Sequence, residues 1–397
     1  MTEIELSIMA EGEYAEDHLR PLLDEFEAQH RVHVRLSVLP YETAWQQIVK
    51  LALYSHGPDV SQVGSTWISN LVGMNALRPF TDRELGDWGA PSVFLPTIRQ
   101  EGARVWAVPW MADTRLIYYR RDWLNDASID ESTAFDSPQH LKQTLERLHA
   151  HGVAIPWAVP TERTLLTMHG IASWVWHAGG DFIRPDGRGV LFTTDETLNG
   201  LRSYFDLYPY LLSAPRPLGD PQASELLLAG QAAATLSGPW TWLGDVLSAD
   251  FESSPINPTT VGLALPLGVP FTGSEYLVVW KHTRYPTAAL QLIHFLTSRQ
   301  VQTAYPQSTG LLPVRLDLLS EPPFTEHPAY QVMARALRDG RSFPLFARWG
   351  LIEDSLVDAL GQIWTDILSD PNPDVEAIIR RQLEPLARRL NLTLTVS

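Results

Sequence analysis

Residues 4–38 have the sequence IELSIMAEGEYAEDHLRPLLDEFEAQHRVHVRLSV, and this stretch decides the fold class. Apolar residues alternate with others over 4–8 and again over 32–38, which is the two-residue period of a β-strand. Between these runs, four apolar residues recur at the three- and four-residue spacing of one helix face: Leu19, Leu22, Leu23 and Phe26. Two strands joined by one helix are expected to pair in parallel with a right-handed crossover, so the chain begins as an α/β protein.

Strand and helix patterns continue on both sides of a long middle block. The sequence predicts a second helix over 41–54, a break at Gly57-Pro58 and a third strand around Val60, the start of a doubly wound sheet. Strand patterns return over 261–265 and 276–280. A helix is expected to begin soon after the second of these.

The middle block and the C-terminal part are predicted to be helical. Ser137 followed by Pro138 is typical of a helix start, and Thr193 with Glu196 has the spacing of a capping box. The pattern is helical again from Pro328, except that 391–397 is expected to be strand-like or irregular. With α/β patterns flanking the helical block, two lobes built from separated parts of the chain are a plausible arrangement.

Composition narrows the classes of function. The chain has 397 residues, which favours two lobes or one large α/β unit. Its formal net charge of -16 disfavours a nucleic acid or an anionic membrane as partner. The absence of cysteine excludes disulfides, cysteine-ligated metals and a thiol nucleophile. No apolar run has the length of a membrane span and no export signal is visible, so either a signal was removed or the protein is cytosolic.

Tryptophans carry the first indication of function. Among 14 of them, several stand beside proline, glycine or small polar residues rather than within a helical stripe: Trp67, Trp110, Trp240 and Trp349. An indole face at the end of an element suits a pyranose, whose C–H faces stack on it while the hydroxyls need hydrogen-bond partners. Packing inside a core is the commoner role of a single tryptophan, and it stays open for each of these.

Five segments, taken in order, resemble the family 1 extracellular solute-binding proteins of ABC transporters, the group that includes maltose-binding protein. They are PDV at 58–60, VWAVP at 105–109 with Asp113 and LIYYRRD at 116–122, Gly179-Gly180 after the Trp174/Trp176 helix, LAGQAAA at 228–234 through GPWTW at 238–242, and Ala288-Ala289 through Leu296 on to TGLLPVR at 309–315. The resemblance implies a type II periplasmic-binding-protein-like α/β fold, with a ligand cleft between two lobes joined by three hinge crossings. The crossings are expected near 109–115, 259–264 and 312–317. The N-terminal lobe would hold 1–110 plus 262–314, and the C-terminal lobe 113–260 plus 316–397.

The same resemblance implies a carbohydrate-binding protein without catalytic residues, cofactor or metal. Such a protein captures a mono- or oligosaccharide by hinge closure and delivers it to ABC permease subunits. It is expected to be a monomer and extracytoplasmic, in the periplasm or at the cell surface.

Most site residues follow from the matched positions, whereas Arg348 is expected from its place beside Trp349, Glu275 from its place after Gly273-Ser274, and Trp176 as a residue that could line the cleft. The expected ligand-binding residues are Glu11, Glu13, Thr66, Trp67, Asp113, Trp176, Trp240, Glu275, Arg348 and Trp349. Trp240 and Trp349 match two stacking aromatics of the second lobe, and Asp113 matches an acidic residue at the first crossing. The chain departs from its relatives at Ala10 and Val63, where aromatic residues are common, so the stacking contribution of the first lobe is open.

Two alternatives remain. Asp113, Glu275, Glu11 and Asp59 could supply the paired carboxylates of a glycoside hydrolase, but no motif fixes two of them at a defined separation. HExxH, Walker A and GxSxG motifs are absent from the sequence. A ligand-sensing module of the same fold, coupled to a signalling partner, would have an identical site.

Overall fold

The opening strand–helix–strand unit forms as its periodicity predicts. In the computed structural model, residues 2–10 and 32–40 are paired in parallel along their whole length, from Thr2 opposite Val32 to Ala10 opposite Pro40. Leu19, Leu23 and Phe26 are buried in one apolar cluster with both strands, because the helix turns this face towards the sheet. The structure describes residues 2–10, 14–85, 98–100, 104–212, 217–242, 256–344 and 348–395.

Helices and strands are mixed along the chain, and its last elements are all helices. The first are β1 (Thr2–Ala10), α1 (Tyr14–His30), β2 (Val32–Pro40), α2 (Tyr41–Tyr54), β3 (Val60–Gly64), α3 (Ile68–Gly73), β4 (Leu77–Arg78), α4 (Asp82–Leu85), β5 (Ile98–Gln100) and β6 (Arg104–Thr114). They continue as β7 (Leu116–Arg120), α5 (Arg121–Asp126), α6 (Pro138–Ala150), β8 (Ile155–Ala158), α7 (Leu165–His177), α8 (Asp195–Phe205), α9 (Asp220–Leu228), β9 (Ala232–Ser237) and β10 (Val261–Ala264). The last are β11 (Thr272–Trp280), α10 (Pro286–Leu296), α11 (Arg299–Thr309), β12 (Leu312–Pro313), α12 (Pro328–Asp339), α13 (Trp349–Ser369) and α14 (Val375–Thr395).

The chain divides into two compact units. The first holds residues 1–113, 273–331 and 343–350, and the second holds 114–272, 332–342 and 351–397. The sheet of the first unit has the strand order β12-β6-β11-β3-β1-β2, and that of the second has the order β10-β7-β9-β8. Each unit therefore has its own sheet. None of the described helices has both the length and the apolar character that a membrane crossing needs.

The unit boundaries differ from the expected lobe boundaries. The chain passes between units after residues 113, 272, 331, 342 and 350. Residues 262–272 stay with the second unit, because β10 pairs with β7 and the Arg115 N–H donates to the carbonyl of Phe271 at 3.1 Å. The chain thus passes between the two units five times, and the three hinge crossings expected from the sequence stay a prediction.

Two local predictions were wrong. The cap of α8 is Thr194 rather than Thr193, since the Thr194 hydroxyl accepts from the Thr197 N–H. Glu196 is then the second residue of the helix, one position too early for a capping box. The segment expected to be irregular after residue 391 is helical through Thr395, because buried Leu390 and Leu394 continue the apolar face of α14.

The close packing of α8 against α7 in the second unit depends on Gly200. A Cβ on this α8 residue would lie 2.6 Å from the Cα of Val175 and 2.7 Å from the carbonyl oxygen of Trp174, both in α7. We expect Gly200→Ala to lower the free energy of unfolding by about 1–3 kcal/mol, because one helix backbone has to move away from the other. Thermal unfolding followed by far-UV circular dichroism measures the loss.

Gly73→Ala is the matched control. It also adds a methyl group to a helical glycine, but no heavy atom lies within 4 Å of the added Cβ. Alanine is the better helix former, so the melting temperature should stay equal or rise slightly. Equal melting temperatures for Gly200→Ala and the parent would contradict the close approach of α7 and α8.

Candidate ligand-binding site

Several of the expected ligand-binding residues lie at one edge of the first unit's sheet. β1 and β3 run parallel, and β11 runs antiparallel to β3 with Glu275 opposite Gly64, the last residue of β3. Thr66 and Trp67 follow directly in a short 3-10 helix. In open α/β sheets ligands bind beyond the carboxyl ends of parallel strands, which is this edge. Glu11 and Glu13 lie outside the described residues.

A buried amide links two of the strand ends. The Gln62 side chain is only 3% exposed; its Oε1 accepts from the backbone N–H of Met9 at 2.9 Å, and its Nε2 donates to a carboxyl oxygen of Glu275. The Met9 N–H can only donate, so it determines which end of the amide faces Glu275. Sequence reasoning missed Gln62. A polar residue in the strand that follows Pro58-Asp59 was the available signal.

The Glu275 carboxyl is neutral at pH 7. Its burial and, to a smaller extent, the negative charge of Asp113 raise its pKa to about 8, although the hydrogen bond from Gln62 acts in the opposite direction. A neutral carboxyl can donate a hydrogen bond, whereas a carboxylate can only accept one. The first unit therefore offers a ligand a donor at Glu275.

Trp67 packs mainly into its own unit. It is 9% exposed, belongs to an apolar cluster with Val63 and Tyr276, and packs at a tilt against Trp45 with ring centroids 5.2 Å apart. Thr66 and Trp45 are partly exposed. Trp45, in α2, is an aromatic neighbour of the site that sequence reasoning missed. Ligand contacts of Thr66 and Trp67 stay predictions.

Trp349 and Arg348 lie in the first unit, whereas the sequence assigned Trp349 to the second lobe. The Trp349 side chain is fully buried and stacks on Phe343, with ring centroids 5.0 Å apart. The next residue, Gly350, lies close against Asn70 of α3, which helps to hold this segment on the first unit. Arg348 is partly buried. The roles of both residues in binding stay predictions.

In the second unit an arginine lies among three rings. The Arg115 side chain is 1% exposed, with its guanidinium 5.0 Å from the centroid of Trp240 and 5.5 Å from that of Phe271. Its Nη2 donates to Nδ1 of His169 at 3.0 Å, and the His169 ring stacks on Phe271 with centroids 3.9 Å apart. We call Arg115, His169, Trp240 and Phe271 the arginine–aromatic cluster.

His169 is neutral within this cluster. Burial lowers its pKa well below the usual value, and the charge of Arg115 lowers it further. Because Nδ1 faces a guanidinium, which has no lone pair to offer, Nδ1 accepts and the proton lies on Nε2. The cluster thus combines a fixed cation with a neutral imidazole. Only Trp240 of its four members was among the expected site residues.

The indole of Trp240 is held in one orientation. Its Nε1–H donates to the buried carboxylate of Asp220 at 3.1 Å, and the same oxygen accepts from Ser237 at 3.0 Å. The ring also lies against Gly238, where a Cβ would come within 2.2 Å of it. Trp240 nevertheless stays partly exposed. A fixed, partly exposed indole is a suitable surface for stacking a flat apolar face.

Trp176 is more enclosed. It is buried, the guanidinium of Arg341 lies 5.1 Å from its ring centroid, and Phe182 packs edge-on at 6.3 Å. The sequence predicted that one ring of the Trp174 and Trp176 pair points into the core, and both are buried. A ligand contact of Trp176 stays a prediction.

The two sets of residues favour reversible binding through hydrogen bonds and stacking. They offer an acid, an amide, a cation, a neutral imidazole and an ordered indole. Within the described part of the chain, no three His, Asp or Glu side chains are grouped as a metal site would need.

Comparison with known proteins identifies the family. A family model described as bacterial extracellular solute-binding protein matches residues 22–332, well over half of the chain. The structure resembles an ABC transporter solute-binding protein of Thermotoga lettingae bound with α-D-tagatose, at 18% identity and a TM-score of 0.83 over 99% of this chain and 100% of that one.

Two further solved structures show the same fold. A maltose-bound protein of T. maritima matches at 21% identity and a TM-score of 0.82, over 97% of this chain and 100% of that one. A solute-binding protein of Agrobacterium radiobacter in complex with ribitol matches at 17% identity and a TM-score of 0.80, over 98% of each chain. The resemblance found in the sequence segments is confirmed: the chain belongs to the bacterial extracellular solute-binding proteins and has their two-lobed α/β fold.

Proposed function

We propose that this protein binds a carbohydrate outside the cytoplasm and delivers it to the permease subunits of an ABC importer. The observation that carries the proposal is the orientation of Trp240, a partly exposed indole fixed by Asp220 and Gly238 and covered on one side by Arg115. Three proteins of similar fold hold tagatose, maltose and ribitol, which are all rich in hydroxyl groups.

The chemistry of the two units suits such a ligand. Trp240 offers a face for the C–H groups of a sugar ring, while Asp113 accepts hydrogen bonds from hydroxyls and neutral Glu275 donates one. In this proposal the sugar is bound and released unchanged. A hinge movement at the passages between the units reports occupancy to the importer, provided that the sugar binds the closed form more tightly.

The first experiment is a ligand screen. Intrinsic tryptophan fluorescence and thermal shift are measured with mono-, di- and oligosaccharides, including tagatose, maltose and ribitol. A saturable fluorescence change with a rise in melting temperature and unchanged sugar supports the proposal, because a ligand of the folded state stabilises it by mass action. Slow conversion of a sugar would indicate a glycoside hydrolase. If no sugar changes the fluorescence or the melting temperature, a carbohydrate ligand is rejected.

Trp240→Ala should weaken sugar binding by about 1–3 kcal/mol, because a large ring in a well-ordered site is removed. Isothermal titration calorimetry with the sugar found in the screen measures the change in Kd. The matched control is Trp123→Ala, since Trp123 is also partly exposed and also packs under an arginine, with Arg120 4.8 Å from its ring centroid. Sugar affinity should be unchanged in the control; equal losses in both variants would indicate general destabilisation.

Glu275→Gln should raise thermal stability, and more so at pH 8 than at pH 5. The pKa of Glu275 rises from 4.5 to about 8, so the folded chain keeps a proton that the unfolded chain loses above pH 4.5. Stability contributed by this group therefore falls as the pH rises from 4.5 to 8. Glutamine mimics the neutral acid and removes this dependence, which melting temperatures across the pH range will show.

Glu84→Gln, also in the first unit, is a control because the pKa of Glu84 is shifted in the opposite direction to that of Glu275. The hydrogen bond from Arg78 lowers the pKa of Glu84 to about 2, so its stabilising effect is present above pH 4.5 and lost as the pH falls towards 2. We expect this variant to melt lower than the parent at both pH 5 and pH 8. A pH-independent effect of Glu275→Gln would contradict the neutral state assigned to Glu275.

A further inference from the structure

Among the described residues of the first unit, two glutamines are buried, and their surroundings differ. Gln302 donates from its amide to the carbonyls of Trp110 at 2.8 Å and Leu296 at 3.3 Å and accepts from the Val314 N–H at 2.9 Å, so all three hydrogen bonds go to backbone. Gln62 accepts from the backbone at Met9 but donates to the side chain of Glu275. Only the second arrangement connects the backbone to a group of the candidate site.

The position of Gln62 explains its contact with Met9. The paired residues of β1 and β3 end at Ser7 and Ser61, so the Met9 N–H lies beyond the ladder that joins these strands. A buried N–H without an acceptor is costly, and the Gln62 carbonyl oxygen supplies one. The amide N–H group then points across to β11, where it meets Glu275.

We propose that Gln62 is a positioning residue of the ligand site, which fixes the carboxyl of Glu275 at the strand edge and ties it to the end of β1. This inference rests on the proposed function, because it assigns Gln62 an effect on sugar binding through Glu275. The amide does not have to touch the sugar. It holds the rotamer of the group that does.

The neighbours of Glu275 act on its pKa in opposite directions. Asp113 on β6 raises the pKa of Glu275 by its negative charge. Tyr305 on α11 is also close to Glu275. Burial raises the pKa of Tyr305, and the charge of Glu275 raises it further. Gln62 on β3 is the neighbour whose hydrogen bond favours the charged carboxylate. Removal of this donor therefore raises the pKa of Glu275 further above its usual value.

The test combines a measurement without ligand and one with sugar. In protein labelled with carbon-13 at the glutamate carboxyls, the Glu275 signal is assigned by its loss in Glu275→Gln and is titrated by NMR. The titration midpoint should rise in Gln62→Met and stay at the parent value in Gln302→Met. Calorimetry with maltose and with α-D-tagatose should show a Kd about five- to tenfold higher in Gln62→Met only, the change expected for one lost hydrogen bond.

The outcomes separate the two hypotheses. If the parent binds neither sugar, the sugar proposal loses support, while the NMR midpoint still decides whether Gln62 controls Glu275. A midpoint that is equal in the two methionine variants overturns the positioning role, as does a shifted midpoint with unchanged sugar affinity. If Gln62→Met does not fold, Gln62→Glu keeps an acceptor for Met9 and places a second carboxyl beside Glu275, which should also raise the midpoint.

Discussion

The candidate site of the first unit depends on one hydrogen bond to a backbone N–H. This N–H lies where the parallel pairing of β1 and β3 ends. The Met9 N–H lies past the last paired residues of β1 and β3, and in a buried position it needs an acceptor. Gln62 supplies this acceptor, and the fixed geometry of an amide then directs its N–H group towards β11. The position of the Glu275 carboxyl, a proposed ligand contact, is thus a consequence of hydrogen bonding in the sheet.

The second unit uses a comparable arrangement with different groups. A buried arginine is costly unless its charge is compensated, and Arg115 is held by two aromatic faces, the carbonyl of Thr114 and the imidazole of His169. Trp240 is fixed in turn by the buried carboxylate of Asp220. In both units the groups offered to a ligand are oriented by protein before binding, which reduces the conformational entropy lost on association.

Local patterns predicted the elements but not the contacts between distant residues. The period of 4–38 was sufficient for β1, α1 and β2, because each depends on neighbours in sequence. The GPW context was sufficient to propose Trp240 as a site residue, whereas Gln62 was missed because its partner Glu275 lies 213 positions away. Trp349, expected in the second lobe, lies in the first unit, where its ring stacks on Phe343. Its flanking residues carry no information about this packing.

The charges of the two units bear on the kind of solute that fits. Asp113 and Glu275 together carry one negative charge when Glu275 is neutral, and the arginine–aromatic cluster carries one positive charge, since His169 is neutral. An anionic solute would be repelled by Asp113 at the first set, most strongly where the surroundings have a low dielectric constant. A hydroxyl group can both donate and accept, so it can bond to Glu275 and to Asp113 without adding charge. Within the proposed function, the first set therefore favours a neutral, hydroxyl-rich solute over an anionic one.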